Sequence, residues 1–464
     1  MPNTCNPVTP RPPILAAPWI RRDRAAAVFS GDPWPGLFGR YPTLAAAHLW
    51  CFFVSWPVTF VELAGIPLLV CTLARMHRNY RYIPSIILQP LVIAVALFGI
   101  VQFASGLWTL DRAQWLQQAG SIRWLWSLCA LWPVIQHRRA LILTLMAGIL
   151  VGNCGQLSQA LHVYAHLPTP TWPRAEDRIS GWWPPVVCGT VLTAALGLHL
   201  PSTILAATAR ARILSTAAAL ATLAGIFASG TRGAWLASAM LTLLVVPAAI
   251  AVRLRSTQTS TSLRRRGPLI ATLVILLMLA GAGAAALGPS IARRASLAWN
   301  DISTAVEHHD YRTDTGARIG MALWAIDLFR QHPVQGVGAG SFRPAARELL
   351  RTQGVDPDTQ SVHDHAHNAL LHVAATTGLL GLIPALLVII LSLRNSCALG
   401  RERWQTSSVE WGPLAALLGL LLVSLFDPVH INAQTSALLA VILSLSPSFI
   451  PVSSDLACDP PRTT

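Results

Sequence analysis

Residues 84–107 read Pro84-Ser-Ile-Ile-Leu-Gln-Pro-Leu-Val-Ile-Ala-Val-Ala-Leu-Phe-Gly-Ile-Val-Gln-Phe-Ala-Ser-Gly-Leu107, without a single charged side chain. A helix needs about 20 apolar residues to cross the hydrocarbon of a bilayer, and this stretch supplies them. Comparable runs occupy residues 44–60, 61–75, 121–136, 140–160, 184–208, 213–229, 234–253, 268–288, 369–393, 411–427 and 431–450. Pro57, Glu62 and Pro67 divide 44–75 into two short runs in place of one long helix. The expected fold class is therefore all-α, a polytopic transmembrane helix bundle of about 12 spans.

Composition points the same way. Of 464 residues, 53% are hydrophobic and only 12% charged, where a soluble protein carries about 25% charged residues. The mean hydropathy is +0.50. That balance excludes a disordered chain and an ordinary soluble enzyme. The eight cysteines form no C-x-x-C pair and none lies in the large loop described below, so neither a disulfide framework nor a zinc site is indicated. No Walker or dinucleotide-binding glycine motif occurs, and no cofactor is expected.

The net charge of +14 comes from 34 basic residues, all arginine, against 20 acidic ones. Their positions decide what they mean. Positive charge gathers in short cytoplasmic loops. With the N-terminus inside, the cytoplasmic segments hold 21 of the 34 arginines, including Arg75, Arg78 and Arg81, then Arg138 and Arg139, then Arg264, Arg265 and Arg266. Most of the charge thus sets orientation, and membrane lipids, not nucleic acid, are the expected surroundings. The organisation read from this is a cytoplasmic tail (1–43) lacking the apolar core of a signal peptide, spans one to nine (44–288), a large external loop (289–368), spans ten to twelve (369–450) and a second cytoplasmic tail (451–464).

The loop over 289–368 holds nine of the 20 acidic residues and six of the 14 histidines. Within it, Ile319, Ala322, Leu323, Ile326 and Phe329 recur at helical spacing. They predict an amphipathic helix from Arg318 to Gln331 that lies along the membrane surface or caps the bundle. His332-Pro333 ends it, Gly336, Gly338 and Gly340 supply a tight turn, and a second short helix follows over roughly 344–353.

Several residues can carry chemistry. His367 sits where this loop meets the tenth span, and imidazole is suited to proton transfer near neutral pH. Asn368 can cap the tenth helix or hold a hydroxyl or phosphate oxygen. His363, His365 and His367 could equally form a polar linker, and three histidines without a second ligand cluster are a weak metal signal. Arg178, in Arg-Ile-Ser-Gly181, Arg232, in Ser229-Gly-Thr-Arg-Gly-Ala-Trp235, and Arg318 lie on the side opposite most of the arginines. Each could be an interfacial anchor. Guanidinium is also the group suited to bidentate phosphate binding, so together they suggest a diphosphate-bearing lipid substrate. Trp182 and Trp183 read as part of an interfacial aromatic belt or as sugar-stacking rings. Asp427 and His430, between the last two spans, read as polar lining or helix caps, and Glu62 and His48 as partners of one another or of Arg178.

The sequence resembles the O-antigen ligase and O-antigen polymerase superfamily of bacterial polytopic glycosyltransferases. The resemblance rests on Ser-Gly-Thr-Arg-Gly-Ala-Trp at 229–235, on Arg318 ahead of His332-Pro-Val-Gln-Gly-Val-Gly-Ala-Gly-Ser-Phe342, and on His365-Ala-His-Asn-Ala-Leu-Leu371 followed by Gly378-Leu-Leu-Gly381. It covers roughly residues 175–393. It departs at Trp182-Trp-Pro-Pro185, where the family often has Asn-Pro, and at Ala322, where the family commonly has Trp.

What the resemblance implies is a GT-C-like bundle with a large periplasmic loop, in the bacterial inner membrane, with its active site facing the periplasm. It implies a metal-independent glycosyltransferase taking glycan from an undecaprenyl-diphosphate-linked donor. His367, Arg232 and Arg318 would be catalytic, with His367 as general base. Arg178, His365, Asn368, Gly338 and Gly340 would bind substrate, and the amphipathic helix with its glycine turn would close as a lid over the head group. The acceptor would be the lipid A-core of lipopolysaccharide in a ligase, or another lipid-linked glycan in an O-antigen or exopolysaccharide polymerase. Ligase is the favoured reading. A transporter or flippase of lipid-linked glycan is the second alternative, disfavoured because polar residues collect at one face and not at the membrane midplane.

Overall fold

The computed structural model describes residues 40–76, 80, 83–165, 178–257, 292–293, 296–403 and 408–446. The apolar run at 268–288 lies outside them. Every regular element among the described residues is helical. The chain opens with α1 (Arg40–Phe53), α2 (Val58–Ala74), α3 (Ile83–Ile87), α4 (Pro90–Ala104), α5 (Arg112–Gly120), α6 (Ser127–Leu131) and α7 (Arg138–Tyr164). It continues through α8 (Pro185–Leu205), α9 (Ala209–Ala228) and α10 (Arg232–Thr257). After further helical residues at 296–308 come α11 (Asp314–Gln331), α12 (Phe342–Thr352), α13 (Ala369–Arg403), α14 (Gly412–Val423) and α15 (Ala433–Leu445).

Six of the described helical runs are long and apolar enough to cross a membrane: Pro90–Leu107, Arg112–Val163, Pro185–Leu205, Ala209–Ala228, Arg232–Leu254 and Ala369–Asn395. Three shorter apolar helices lie over Val58–Ala74, Ser408–Val423 and Ala433–Leu445. This is fewer membrane-length helices than the twelve runs read from the sequence, and the reasons are local. Residues 44–75 do divide, at 54–57, into α1 and α2. The run 121–136 is no single helix. It folds as a 3₁₀ turn (Ser121–Trp126), the short α6 and a second 3₁₀ turn (Trp132–His137), continuous with α5 and α7. Pro133, which lacks a backbone N–H, sits in the first positions of that second turn.

The core sits around α8, which is buried on all faces. A helix apolar all round belongs in the middle of a bundle, and α14, α9, α10 and α7 pack about this one. Peripheral helices instead turn apolar side chains outward: Leu63, Ile66, Val70 and Leu73 on α2, Ile93, Leu97 and Ile100 on α4, and Ile383, Leu386 and Ile390 on α13. Stripes of exposed large apolar residues this long are foreign to a soluble surface and fit a lipid environment.

The large loop builds a core of its own from Ala317, Met321, Trp324, Ala325, Leu328, Val337, Phe342, Ala346 and Leu349, joined to the bundle through Ala375. The helix predicted from its apolar stripe exists as α11, but the stripe that packs is another one. Ala317, Met321, Trp324, Ala325 and Leu328 are buried, while Leu323 of the predicted face is 45% exposed. This helix is apolar on two sides, and the small residues Gly316, Ala317 and Gly320 let one of them approach its neighbours closely.

α13 is broken at Gly378, whose φ of 58° and ψ of −154° lie outside the helical region. A break leaves backbone groups without partners, which is costly away from water. The turn that follows α11 supplies those partners. Val337 and Gly338 donate their amides to the carbonyls of Ala375 (2.9 Å) and Thr376 (2.8 Å), and Leu379 and Leu380 donate to Pro333 (2.8 Å) and Val334 (3.1 Å). A side chain at Gly378 would collide with the Val334 backbone.

Candidate functional site

The site begins with the way α13 is started. Asn368 caps it, its side-chain oxygen accepting from the Leu371 amide (3.0 Å) while its amide group donates to the Leu425 carbonyl (3.3 Å). The Ala369 amide donates to the Ser424 carbonyl (2.8 Å). The end of the large loop is thereby tied to the end of α14, and the turn after α14 brings in Asp427. His365 Nε2 lies 3.1 Å and His367 Nδ1 3.4 Å from the same Asp427 Oδ1. The two imidazole centres are 4.4 Å apart, and the ring of His363 lies 5.6 Å from that of His367.

His367 has a φ of 49°, a left-handed conformation rare for a residue with a side chain. Such strain is held only where surroundings over-determine it, and it clusters at functional positions. Nδ1 is the ring nitrogen on the Asp427 side, at 3.4 Å, and Nε2 is the one turned away from the carboxylate. Burial pushes the His367 imidazole below its ordinary range against the opposing pull of Asp427, so it is neutral near pH 7. Burial raises the Asp427 carboxyl, but the hydrogen bond from His365 and the His367 imidazole beside it outweigh that and keep it well below the usual carboxylate range. Together they form a neutral imidazole oriented by an anion.

The three arginines meet here. Arg232 is the first residue of α10, behind the turn Ser229-Gly-Thr231. Its guanidinium lies 3.4 Å from Thr315 Oγ1 and 3.9 Å from Asp314 Oδ2, at the start of α11. Gly233, beside it, packs against the ring of Phe426, which joins this helix end to the Asp427 turn. Arg318 is one helical turn on from Asp314. Burial lowers the pKa of its guanidinium, the carboxylates of Asp427 and Asp314 raise it, and the nearby cations Arg232 and Arg178 lower it again. Arg178 packs its Cγ over Gly230. Among the described residues neither Arg178 nor Arg318 makes an ion pair. Arg318 thus lies within electrostatic reach of Arg232 and Arg178 as well as of Asp427 and Asp314, and a group of guanidiniums of this kind attracts a multiply charged anion.

The ligand atoms of His365, His367 and Asp427 all lie within 4.8 Å of one another, a spacing that could also hold a cation. His365 Nε2 hydrogen-bonds that carboxylate, whereas His367 Nδ1 approaches the same oxygen at 3.4 Å without forming a hydrogen bond.

The remaining predicted residues are placed differently. The amides of Gly338 and Gly340 are engaged by Thr376 (2.8 Å) and Gln118 Oε1 (3.0 Å). Thr109 donates to the Ala339 carbonyl (2.8 Å) and the Leu110 amide to Ser341 Oγ (2.7 Å). The glycine turn is thus wedged between α13 and the segment after α4, which argues against a closing lid. Trp183 is buried with its Nε1 donating to the Ser55 carbonyl, and Trp182 packs at a tilt against Trp56, their ring centres 4.7 Å apart. Glu62 pairs with Arg123 at 2.7 Å, and His48 with Thr144 at 2.7 Å. Sequence reasoning left Asp427 as lining or a cap; its signal is an acid in the turn between the last two spans. Behind it lie His372, buried 3.4 Å from Gln118 Oε1, and His430, which burial holds at about 4.

Comparison with curated proteins gives no match. Residues 217–386, from α9 to just beyond the break in α13, match the family model described as O-antigen ligase. That stretch contains Arg232, Arg318, His365 and His367. Over this stretch, a little more than a third of its length, the chain is similar to the O-antigen ligase family, whose members are glycosyltransferase-like membrane enzymes.

Proposed function

We propose that the protein transfers a glycan from an undecaprenyl-diphosphate-linked donor to the lipid A-core of lipopolysaccharide, at the periplasmic face of the bacterial inner membrane. The observation that carries this reading is the gathering of Arg178, Arg232 and Arg318 beside the His367–Asp427 pair. In the reaction, the acceptor hydroxyl gives its proton to His367 Nε2 as its oxygen attacks the anomeric carbon. The bond from that carbon to the diphosphate oxygen breaks, and the lipid diphosphate leaves with its bonding pair. Asp427 holds the imidazole and stabilises the imidazolium. The arginines balance charge on the leaving group, the electrostatic contribution that usually dominates such catalysis. A diphosphate needs little protonation to leave, so one base and several arginines suffice without a metal.

A cavity of about 270 Å³ supports a lipid-borne donor. It is lined mainly by hydrocarbon from α4, α13, α14 and α15, among them Val373, Ile389, Leu421 and Leu439. Ala369, Leu425 and His430, which flank Asn368 and Asp427 in sequence, also line it. A polyprenyl chain placed there would leave its diphosphate at the arginines.

The same chemistry serves a polymerase that uses a second lipid-linked glycan as acceptor, and acceptor choice separates the two. The test is transfer in vitro from a defined undecaprenyl-diphosphate glycan, with lipid A-core or a second donor molecule as acceptor, in the presence of a chelator. Transfer to lipid A-core that survives the chelator is expected. Transfer only between lipid-linked glycans would make it a polymerase. Loss of activity with chelator would assign His365, His367 and Asp427 to a metal. Movement of donor across proteoliposome membranes without transfer would make it a transporter.

A further inference from the structure

Arg178 lies outside the residues matched by the family, on a short segment before α8, and something must hold that segment against the turn that carries Arg232. Two buried glutamines of α7 do so. Gln156 is 0% exposed and Gln159 4%. Three residues apart on a helix, they face the same way. The Gln156 side-chain amide donates to the Ile179 carbonyl (2.7 Å) and to the Gly225 carbonyl (2.8 Å) near the end of α9. Only an NH₂ group can serve two carbonyl oxygens, so the chemistry fixes its orientation. Gln159 Oε1 accepts from the Gly181 amide (2.7 Å), and the Ile179 amide donates to the Ala228 carbonyl (3.1 Å). Residues 179–181 are thus bonded to α7 on one side and to the end of α9 on the other. Gly230, with a φ of 65°, lies two residues beyond Ala228, and the Arg178 side chain packs beside it.

We infer that Gln156 and Gln159 are positioning residues that lock Arg178 in register with Arg232, so that two guanidiniums reach one diphosphate together. Neither glutamine touches the substrate, since both are buried in the packing of the helices. The inference rests on the reading of Arg178 as a diphosphate ligand given above. A bidentate clamp depends steeply on position, and small displacements of such groups are felt strongly.

The test is a double-mutant cycle between Gln156→Met and Arg178→Ala, with Gln159→Met in the same cycle should Gln156→Met not fold. The measurements are the Kd for a polyprenyl diphosphate in detergent, the kcat and KM for transfer, and thermal unfolding. Arg178→Ala is expected to weaken binding of the lipid. Gln156→Met, which keeps volume but removes the donor, is expected to weaken it by on the order of tenfold, the size of one buried hydrogen bond. Its kcat at saturating donor and its acceptor KM should stay within about twofold, and the double variant should bind no more weakly than Arg178→Ala alone. If Arg178→Ala weakens binding and neither glutamine variant does, the inference is overturned and the reading of Arg178 stands. Effects that add in the double variant would show a merely structural role and also overturn it. Unchanged binding in Arg178→Ala would remove the reading of Arg178 itself, and the inference with it.

Discussion

His367 and Asp427 face each other across 3.4 Å, although the whole of α13 and α14 separates them in the chain. The contact exists because the start of α13 is bonded to the end of α14 through Ala369–Ser424 and Asn368–Leu425. An imidazole so placed has one nitrogen beside an anion and the other turned away from it.

Asp427→Asn tests that relationship. Turnover is expected to fall by about a hundredfold, within the range of a lost general-base contribution. The pH profile carries the sign. His367 acts as a base only when neutral, and burial sets its pKa below 6.5, so the acid limb of the wild-type profile should lie below pH 6.5. Asp427 pulls that pKa upward, so removing its charge should move the limb to still lower pH as the rate falls. A limb that moves upward in Asp427→Asn would show that the pair does not act as described.

Arg232 offers the cleaner test of anion binding, because its neighbours Thr315 and Asp314 lie at the long end of contact, 3.4 and 3.9 Å. Arg232→Ala is expected to lower kcat/KM for the donor by about 10- to 100-fold, the worth of a hydrogen bond to a charged group. Arg232→Lys should recover part of the loss, since it restores charge but not the planar fork. The KM for the acceptor should not change. Equal losses for donor and acceptor would point to a folding defect, which thermal unfolding would reveal.

Much of this was legible in the residues. Apolar runs mark most helices, and the histidine and arginines singled out as candidates are visible because both signals are written in residue type. What sequence could not give was anything set by a break. The run 121–136 is apolar enough for a span, yet 3₁₀ turns and Pro133 shape it. α11 has two apolar sides, and periodicity cannot say which one packs. Gly336, Gly338 and Gly340 read as a tight turn, and the resemblance implies substrate binding for Gly338 and Gly340. Their amides are engaged by His332, Thr376 and Gln118, two of these partners lying on helices distant in sequence. Asp427 was visible as a polar residue but not as the partner of His367, a relation that only tertiary structure creates.

Gly378 tests the broken helix. Alanine there must accept a positive φ and place a methyl group against the Val334 backbone. Strain of this kind costs about 1–3 kcal/mol before the collision is counted. Gly378→Ala is expected to lower the thermal unfolding temperature in detergent and to loosen the turn at 333–338, read as faster hydrogen exchange at the Val337 and Gly338 amides. Exchange unchanged at these two amides would mean that the turn does not depend on the break.

The apolar cavity separates a lipid-borne donor from a soluble one. Leu421 and Leu439 line it from α14 and α15. Leu421→Trp should narrow it, with the usual penalty for overpacking of about 1–3 kcal/mol in stability. If the cavity receives the chain of the donor, this variant should raise the KM for a full-length polyprenyl-diphosphate glycan by about tenfold, the effect of burying roughly two fewer methylene groups. A water-soluble analogue with a very short chain should be used as well by the variant as by the wild type, because the arginines and His367 are untouched. Leu439→Trp narrows the same space from the facing helix and should reproduce the pattern. Equal loss with both donors would assign the effect to misfolding of α14 and α15, and no loss with either would place the lipid chain elsewhere on the bundle.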